Sequence, residues 1–98
     1  MSEESIQRED FEIAFDKACK FVQKNPTLFE EPQMLKLYGL FKLATVGKCN
    51  VPEPSMFSWK RKEMWKVWKD LENKNIKNPH QMYVDYLTSL VENWEDIQ

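Results

Sequence analysis

The segment from residue 34 to residue 47, MLKLYGLFKLATVG, constrains the fold of this chain more than any other stretch. Its apolar residues recur at three- and four-residue steps, which is the period of an α-helix with one apolar side. The stripe consists of Met34, Leu35, Tyr38 and Phe41, with Leu37 and Ala44 at its margins. Gly47 follows the last residue of the stripe, where a left-handed cap commonly ends a helix. The pattern therefore predicts an amphipathic helix that ends at Gly47.

Similar stripes elsewhere predict an all-α protein. The chain has only two glycines and five prolines, which favours helices joined by proline-marked turns. We predict helices over approximately 10–24, 32–46, 60–72 and 76–94, in one domain spanning residues 1–98. Pro52 and Pro54 interrupt the segment KCNVPEPSMF and predict a long loop between the second and third helices.

Several residues suit the ends and the interior of these helices. Ser5 could cap a first helix that begins near Ile6, and Ser58 is a candidate cap for the third. Pro32 and Pro79 fit first turns, where a missing N–H costs nothing. Trp65 and Trp68 lie on the apolar side of the third helix and are predicted to belong to the core.

The charge is distributed unevenly along the chain. Residues 1–35 hold eight acids and four bases, residues 36–77 hold four acids and ten bases, and residues 78–98 hold four acids and no base. The net charge of −2 thus combines a basic middle with acidic ends. This distribution favours a localised anion site over the extended positive surface of a nucleic-acid-binding protein, and we expect no nucleic acid as a partner. A solvated lysine-rich face explains it equally well.

One strip of the second helix suits an anion that carries a planar ring. Tyr38 and Lys42 are four residues apart and therefore neighbours on one face, with Phe41 beside them. They offer a phenol, an ammonium and an aromatic ring. The spacing alone equally allows Tyr38 and Phe41 to be core residues and Lys42 to be a solvated charge.

Residues suited to catalysis or metal binding are sparse. His80 is the single histidine and is expected at the surface, and no nucleophile motif, phosphate-binding glycine loop or metal-ligand spacing occurs. Cys19 and Cys49 are isolated, so both are expected to be reduced and the protein to be cytoplasmic. No apolar run approaches the ~20 residues that span a bilayer. We therefore expect a non-catalytic binding protein without a cofactor, a metal or stable membrane insertion.

Three motifs in order resemble the acyl-CoA-binding protein family. They are YGLFKLATVG, then a proline and Met56 before the Trp65-x-x-Trp68 helix, and finally Tyr83-Val84-Asp85. The resemblance extends from about Phe11 to Trp94. It implies an up-down-down-up four-helix bundle with a long loop between helices 2 and 3, and a stand-alone domain like the diazepam-binding inhibitor.

The resemblance also implies site residues. Tyr38 and Lys42 would bind the 3′-phosphate of coenzyme A, and Tyr83 would contact the adenine or its ribose phosphate. Phe41 would contribute ring contact, and Lys60, just before helix 3, would reach the phosphates or the polar arm. Residues with a weaker claim to the site are Gly39, Leu40, Met64, Arg61, Gln23 and Met56, the last of which would lie near the ligand.

The sequence departs from the family pattern at three of these positions. Phe41 replaces a second tyrosine, Met64 replaces a helix 3 lysine, and Gln23 replaces a helix 1 lysine. Arg61 is three residues before Met64 and on the same helical side. We hypothesise that its guanidinium restores the charge missing at Met64.

The function that the resemblance implies is binding of medium- to long-chain acyl-CoA by a carrier that maintains an intracellular pool. A monomer is expected, with transient contacts to acyl-CoA-using enzymes or membranes. Two alternatives remain open from the residues. The basic and apolar strip of helices 2 and 3 could bind an acidic partner helix. Alternatively, Tyr38, Phe41 and the lysines of residues 60–69 could stack on a nucleotide or nucleic acid and contact its phosphates, although the acidic ends and the net negative charge count against this reading.

Overall fold

The structure, a computed structural model, describes residues 10–97. Its four helices are α1 at Asp10–Lys24, α2 at Glu31–Thr45, α3 at Trp59–Glu72 and α4 at Pro79–Leu90, with 3₁₀ turns at Pro26–Leu28 and Trp94–Asp96. No strand occurs within this range, and the predicted all-α class is confirmed. The cap predicted at Ser5 lies outside the described residues.

The direction of α3 follows from its contacts with α2. Lys60 at the start of α3 forms an ion pair with Glu31 at the start of α2. Near the other ends of both helices, the Trp68 indole Nε1 donates a 2.9 Å hydrogen bond to the carbonyl of Gly47. The two helices therefore run parallel, which requires the long connection between them to return along the bundle.

Aromatic contacts fix the directions of the other two helices. At the starts of α1 and α4, the ring centroids of Phe11 and His80 are 5.6 Å apart. Near the other end of α1, the ring of Phe21 lies 6.0 Å from that of Trp94, which follows the end of α4. α1 and α4 are thus parallel. Because the short 3₁₀ turn at Pro26–Leu28 reverses the chain between α1 and α2, the order is up-down-down-up, as predicted.

Local chemistry explains where α2 and α3 begin. At α2, the Glu30 side chain accepts from the backbone of Gln33, while Gln33 Oε1 accepts a 2.8 Å hydrogen bond from the Glu30 N–H. This reciprocal pair satisfies two otherwise unpaired N–H groups. Ser58 precedes α3 at the predicted cap position, but its side chain makes no capping hydrogen bond.

Gly47 ends α2 as predicted. Its φ of 94° lies in the left-handed region that favours glycine. The N–H groups of Val46 and Gly47 both donate to the carbonyl of Lys42, at 2.8 and 3.0 Å. These bonds satisfy a carbonyl that the helix leaves without a partner and turn the chain into the connection.

The prediction of a helix over 76–94 was wrong at both ends. The Asn78 Oδ1 accepts a 3.1 Å hydrogen bond from the Gln81 N–H and starts α4 three residues later than expected. At the other end, Val91 is extended (φ −135°, ψ 90°), so α4 stops at Leu90 and Trp94 lies in a 3₁₀ turn. Trp94 still packs on Phe21, which preserves its apolar role outside the helix.

The core lies where α1, α2 and α4 meet. Leu37, Leu40 and Leu87 are at most 1% exposed. α2 approaches α3 closely at Gly39, where a Cβ atom would lie 2.6 Å from Leu71 Cδ1. Helices can pack this closely only where one of them lacks a side chain. Within residues 10–97, no helix has both the length and the apolar character needed to cross a membrane.

The connection between α2 and α3 is held against α3 by side chains. The Trp65 Nε1 donates a 2.9 Å hydrogen bond to the Val51 carbonyl, and Glu72 Oε1 accepts one of 2.8 Å from the Cys49 N–H. Lys62 and Glu53 add an ion pair at 3.3 Å. These contacts keep the connection apart from α2 and so leave a groove between them.

Candidate functional site

The largest groove near the predicted site lies between α2, α3 and their connection. We call it the loop groove; its volume is about 520 Å³. It is lined by Tyr38, Val51, Pro52, Glu53, Pro54, Arg61, Met64, Trp65 and Trp68. Most of this lining is apolar, with one cation and one anion among it. Such a groove suits an amphiphilic ligand with a long apolar part.

A second, smaller groove lies on the other side of α2, towards α1 and α4. This helix groove has a volume of about 190 Å³. It is lined by Cys19, Val22, Gln23, Met34, Leu37, Tyr38, Phe41 and Tyr83. Three aromatic rings in a small space suit a planar ring.

Tyr38 is the residue shared by the two grooves. Burial, with a smaller contribution from nearby Cys49, raises the pKa of Tyr38 above its ordinary value of 10.0. The phenol therefore remains protonated at neutral pH and can donate a hydrogen bond to an anion. If one ligand placed an apolar chain in the loop groove and a planar ring in the helix groove, an anionic group between these two parts would lie beside the Tyr38 hydroxyl.

Lys42 is positioned by stacking. Its Nζ lies 5.0 Å from the ring centroid of Trp68, within the range of a cation–π contact. Trp68 is 3% exposed and lines the loop groove, so the ammonium lies against a residue of that groove, although Lys42 itself is not part of the lining. Trp68, predicted from the sequence only as a core residue, therefore also positions the Lys42 ammonium.

Met64 and Arg61 lie together in the loop groove, one helical turn apart. Arg61 is exposed and provides the cation of the lining, so the hypothesis that it compensates for Met64 has a geometric basis. Gln23 lies in the other groove, on the side of α1. Glu53, which no sequence motif singled out, also lines the loop groove and forms an ion pair with Lys62.

Tyr83 is buried and Phe41 is partly buried, so neither ring lies on an open surface. Tyr83 is 3% exposed and packs edge-on against Phe15 at 5.1 Å, while Phe41 stacks on the same ring at 6.1 Å. Both rings nevertheless line the helix groove.

The remaining predicted residues lie outside both grooves. Lys60 is the second residue of α3, not a residue before it, and pairs with Glu31 at the far end of α2 from Lys42. Met56 is 72% exposed instead of lying within a groove. Gly39 and Leu40 are buried, and in this structure they pack helices together.

His80 is not the surface residue that its position indicated. Its ring packs edge-on against Phe15 at a centroid distance of 4.8 Å and is partly buried. It therefore contributes to the contact between α1 and α4. Among residues 10–97, no cluster of three or more His, Cys, Asp or Glu side chains could hold a metal ion.

Comparison with known proteins connects this geometry to a family. The model of the family described as "Acyl CoA binding protein" matches residues 12–87, which include α2 and α3 completely and most of α1 and α4. The chain belongs to the acyl-CoA-binding protein family. The two grooves that meet at Tyr38 therefore lie in a member of this family.

Individual relatives agree with this assignment. The chain is 34% identical over 77 residues to acyl-CoA-binding protein 2 of Saccharomyces pastorianus, covering 79% of this chain and 88% of that protein. It is 30% identical over 91 residues to acyl-CoA-binding domain-containing protein 6 of Xenopus laevis, covering 93% of this chain but 32% of that protein. The crystal structure of Oryza sativa acyl-CoA-binding protein 2 matches with a TM-score of 0.70 and 28% identity, covering 90% of this chain and 98% of the other.

In this member of the acyl-CoA-binding protein family, a thiol lies in the helix groove. Burial, more than nearby Asp16, raises the pKa of Cys19 from 9.0 to about 11, although its hydrogen bond with Tyr83 acts in the opposite direction. Burial likewise raises the pKa of Tyr83. Because the thiolate is the reactive form, Cys19 should be a poor nucleophile at neutral pH.

We expect Cys19 to react slowly with iodoacetamide in the folded protein. At about pH 8, the rate should be about 100-fold lower than in urea-unfolded chain, since a pKa raised by two units lowers the thiolate fraction by this factor. The Cys49→Ala variant isolates Cys19 for mass spectrometry. The folded and unfolded rates should converge as the pH rises past about 11. Equal rates near pH 8 would contradict the burial of this thiol.

Proposed function

We propose that this protein binds fatty acyl-CoA thioesters without catalysis and acts as an intracellular carrier and reservoir of medium- to long-chain acyl-CoA. The observation that carries the proposal is the meeting of a large apolar groove and a small aromatic groove at Tyr38, with Lys42 beside them. Acyl-CoA matches this arrangement, because its apolar acyl chain, its phosphates and its planar adenine suit the loop groove, the Tyr38–Lys42 pair and the helix groove, respectively.

In the proposed complex, the 3′-phosphate lies against Tyr38 and Lys42. The phenol donates a hydrogen bond and the ammonium adds a charge-assisted one, which is stronger than its neutral equivalent. The adenine enters the helix groove between the rings of Phe41 and Tyr83. No hydroxyl is available at Phe41, so this residue contributes stacking alone.

The acyl chain lies along the loop groove. Met64, Trp65 and the prolines of the connection provide the apolar contact surface there. Each methylene transferred from water to such a surface contributes ~0.8 kcal/mol. A long chain is therefore the part of the ligand that separates acyl-CoA from free coenzyme A.

Arg61 is proposed to contact a phosphate from the α3 side of the loop groove. We expect Arg61→Ala to weaken palmitoyl-CoA binding roughly three- to tenfold at low salt, since an exposed charge is partly screened by solvent. The salt dependence of the dissociation constant should become smaller. Lys66→Ala is the matched control, because Lys66 is an exposed cation of the same helix outside both grooves. An Arg61→Ala dissociation constant equal to that of the wild type at low and moderate salt would remove Arg61 from the site.

A cytoplasmic, monomeric protein fits this proposed role. Cys19 and Cys49 are free thiols, which supports a reducing compartment. The carrier would exchange its ligand through transient contacts with enzymes or membranes.

Native mass spectrometry of the protein purified from cells tests the proposed function. We expect a fraction of the molecules to carry additional masses that correspond to acyl-CoAs of several chain lengths. Addition of palmitoyl-CoA should convert the ligand-free fraction to a one-to-one complex. A protein that takes up no acyl-CoA under these conditions would overturn the proposal.

A further inference from the structure

Among residues 10–97, three of the most exposed large apolar side chains lie together just before and at the start of α3. Phe57 is 91% exposed, Met56 is 72% exposed and Trp59 is 63% exposed. We call these three residues the apolar tip. Single exposed apolar residues need no explanation, but three large ones within four positions mark an interaction surface.

The shape of the apolar tip limits what it can bind. A side chain that is 91% exposed touches little of its own protein, so the tip projects from the surface instead of lining a cavity. The Phe57 N–H donates a 3.1 Å hydrogen bond to Ser55 Oγ, and the Ser58 N–H donates one of 2.9 Å to the Ser55 carbonyl. These turn contacts hold the projecting segment. A projecting apolar group suits insertion into a soft, extended surface.

Basic residues follow the apolar tip directly. Residues 56–66 contain four bases, Lys60, Arg61, Lys62 and Lys66, and one acid, Glu63. Lys60 and Lys62 form ion pairs with Glu31 and Glu53, which leaves Arg61 and Lys66 to add most of the local positive charge. Apolar and aromatic side chains beside cations are typical of segments that bind an anionic membrane surface.

From these observations we propose that the apolar tip docks on anionic phospholipid bilayers. Phe57 and Met56 enter the boundary between headgroups and acyl chains, and Trp59 lies at the interface, where its amphipathic ring is favoured. Arg61, two residues after Trp59, faces the anionic headgroups, and Lys66 adds positive charge further along α3. This attachment is peripheral and requires no spanning helix.

The position of the apolar tip links docking to the loop groove. Val51–Pro54 and Arg61, which line this groove, flank the tip in the chain on either side. Docking therefore brings the groove to the membrane surface, where amphiphilic acyl-CoA accumulates. This consequence rests on the proposed function, whereas docking itself is measured on ligand-free protein.

Flotation with lipid vesicles tests the proposal. Vesicles of phosphatidylcholine with about one-third phosphatidylserine should bind the ligand-free protein, and pure phosphatidylcholine vesicles should bind it roughly tenfold less. Added salt should weaken binding to the anionic vesicles. The double variant Phe57→Ser/Trp59→Ser should lose at least roughly tenfold in vesicle binding while it retains palmitoyl-CoA binding.

The matched control is Ile13→Ser/Val46→Ser. These residues are 42% and 45% exposed and lie near the start of α1 and the end of α2, away from the apolar tip. This variant should float like the wild type. Because no acyl-CoA is present, a failure of docking is distinguishable from a failure of acyl-CoA binding.

Two results would overturn the proposal. The first is a wild-type protein that does not float with anionic vesicles, and the second is a tip variant that floats as well as the wild type. After the first result, photo-crosslinking from position 57 to another protein or to a second copy of this chain would assign the apolar tip to a protein contact.

Discussion

Lys42→Ala should weaken palmitoyl-CoA binding roughly 10- to 150-fold, because a hydrogen bond to a charged group contributes ~1.5–3 kcal/mol and each ~1.4 kcal/mol is a factor of ten. The variant removes the ammonium that lies against the ring of Trp68, a residue of the loop groove. The variant also loses one cation–π contact, which should lower the free energy of unfolding only slightly. Calorimetry and thermal unfolding of the same samples separate the two effects.

Lys36→Ala is a closely matched control for Lys42→Ala. Lys36 lies on the same helix, and its Nζ is 4.6 Å from the ring centroid of Tyr86, so it also forms a cation–π contact. Its ring partner Tyr86 lines neither groove, whereas Trp68, the ring partner of Lys42, lines the loop groove. Its removal takes away the same charge and the same kind of contact without changing the proposed phosphate site. Equal loss of affinity in the two variants would show that Lys42 acts only through the overall charge.

The largest expected effect on stability is that of Leu87→Ala. Leu87 is 0% exposed and lies on α4, which packs against both α1 and α2. Truncation should lower the free energy of unfolding by ~2–5 kcal/mol, because it removes apolar contacts and leaves a cavity. In a domain of this size, that loss lowers the melting temperature by roughly 10 °C or more.

Met82→Ala provides the comparison on the same helix. Met82 is 40% exposed, so its truncation should cost less than ~1 kcal/mol. Urea denaturation measures both variants. A Leu87→Ala protein that unfolds at the same urea concentration as Met82→Ala would contradict the assignment of Leu87 to the centre of the core.

Helical periodicity predicted the first three helices closely because each begins or ends next to residues that carry their own local signal. α1 lies at the predicted 10–24, and α2 and α3 differ from prediction by one residue at most at any end. Pro26, Gly47 and the proline-rich connection interrupt the backbone pattern where the apolar pattern also ends. Sequence and structure agree at these positions.

The end of α4 was not predictable in this way. Trp94 follows Leu90 by four residues and so continues the helical stripe, although the backbone leaves the helix at Val91. The Trp94 Nε1 donates a 3.0 Å hydrogen bond to Thr88 Oγ1, and its ring packs on Phe21. A 3₁₀ turn therefore buries the same side chain that a continued helix would have buried. Periodicity reports burial, not backbone conformation.

The candidate site was predictable where it depends on one helix and not where it depends on the connection. Spacing placed Tyr38 and Lys42 together on α2. The loop groove exists because Trp65 binds the Val51 carbonyl, which is a contact between residues 14 positions apart in the chain. No local pattern in the sequence predicts this hydrogen bond. The path of the connection also decides the position of Met56, which was expected near the ligand but is 72% exposed.

The central claim is that one ligand occupies both grooves through a phosphorylated head and an apolar chain. Ten buried methylenes would contribute roughly 8 kcal/mol before ordering costs, and three or four head-group contacts would add a comparable sum. Neither half of the ligand should therefore bind well alone.

Calorimetric titration of the same protein with palmitoyl-CoA, free coenzyme A and palmitate tests this claim most directly. We expect palmitoyl-CoA to bind with one-to-one stoichiometry and at least roughly a thousandfold more tightly than either free coenzyme A or palmitate. Equal affinity for palmitate and palmitoyl-CoA would contradict a head-group site at Tyr38 and Lys42.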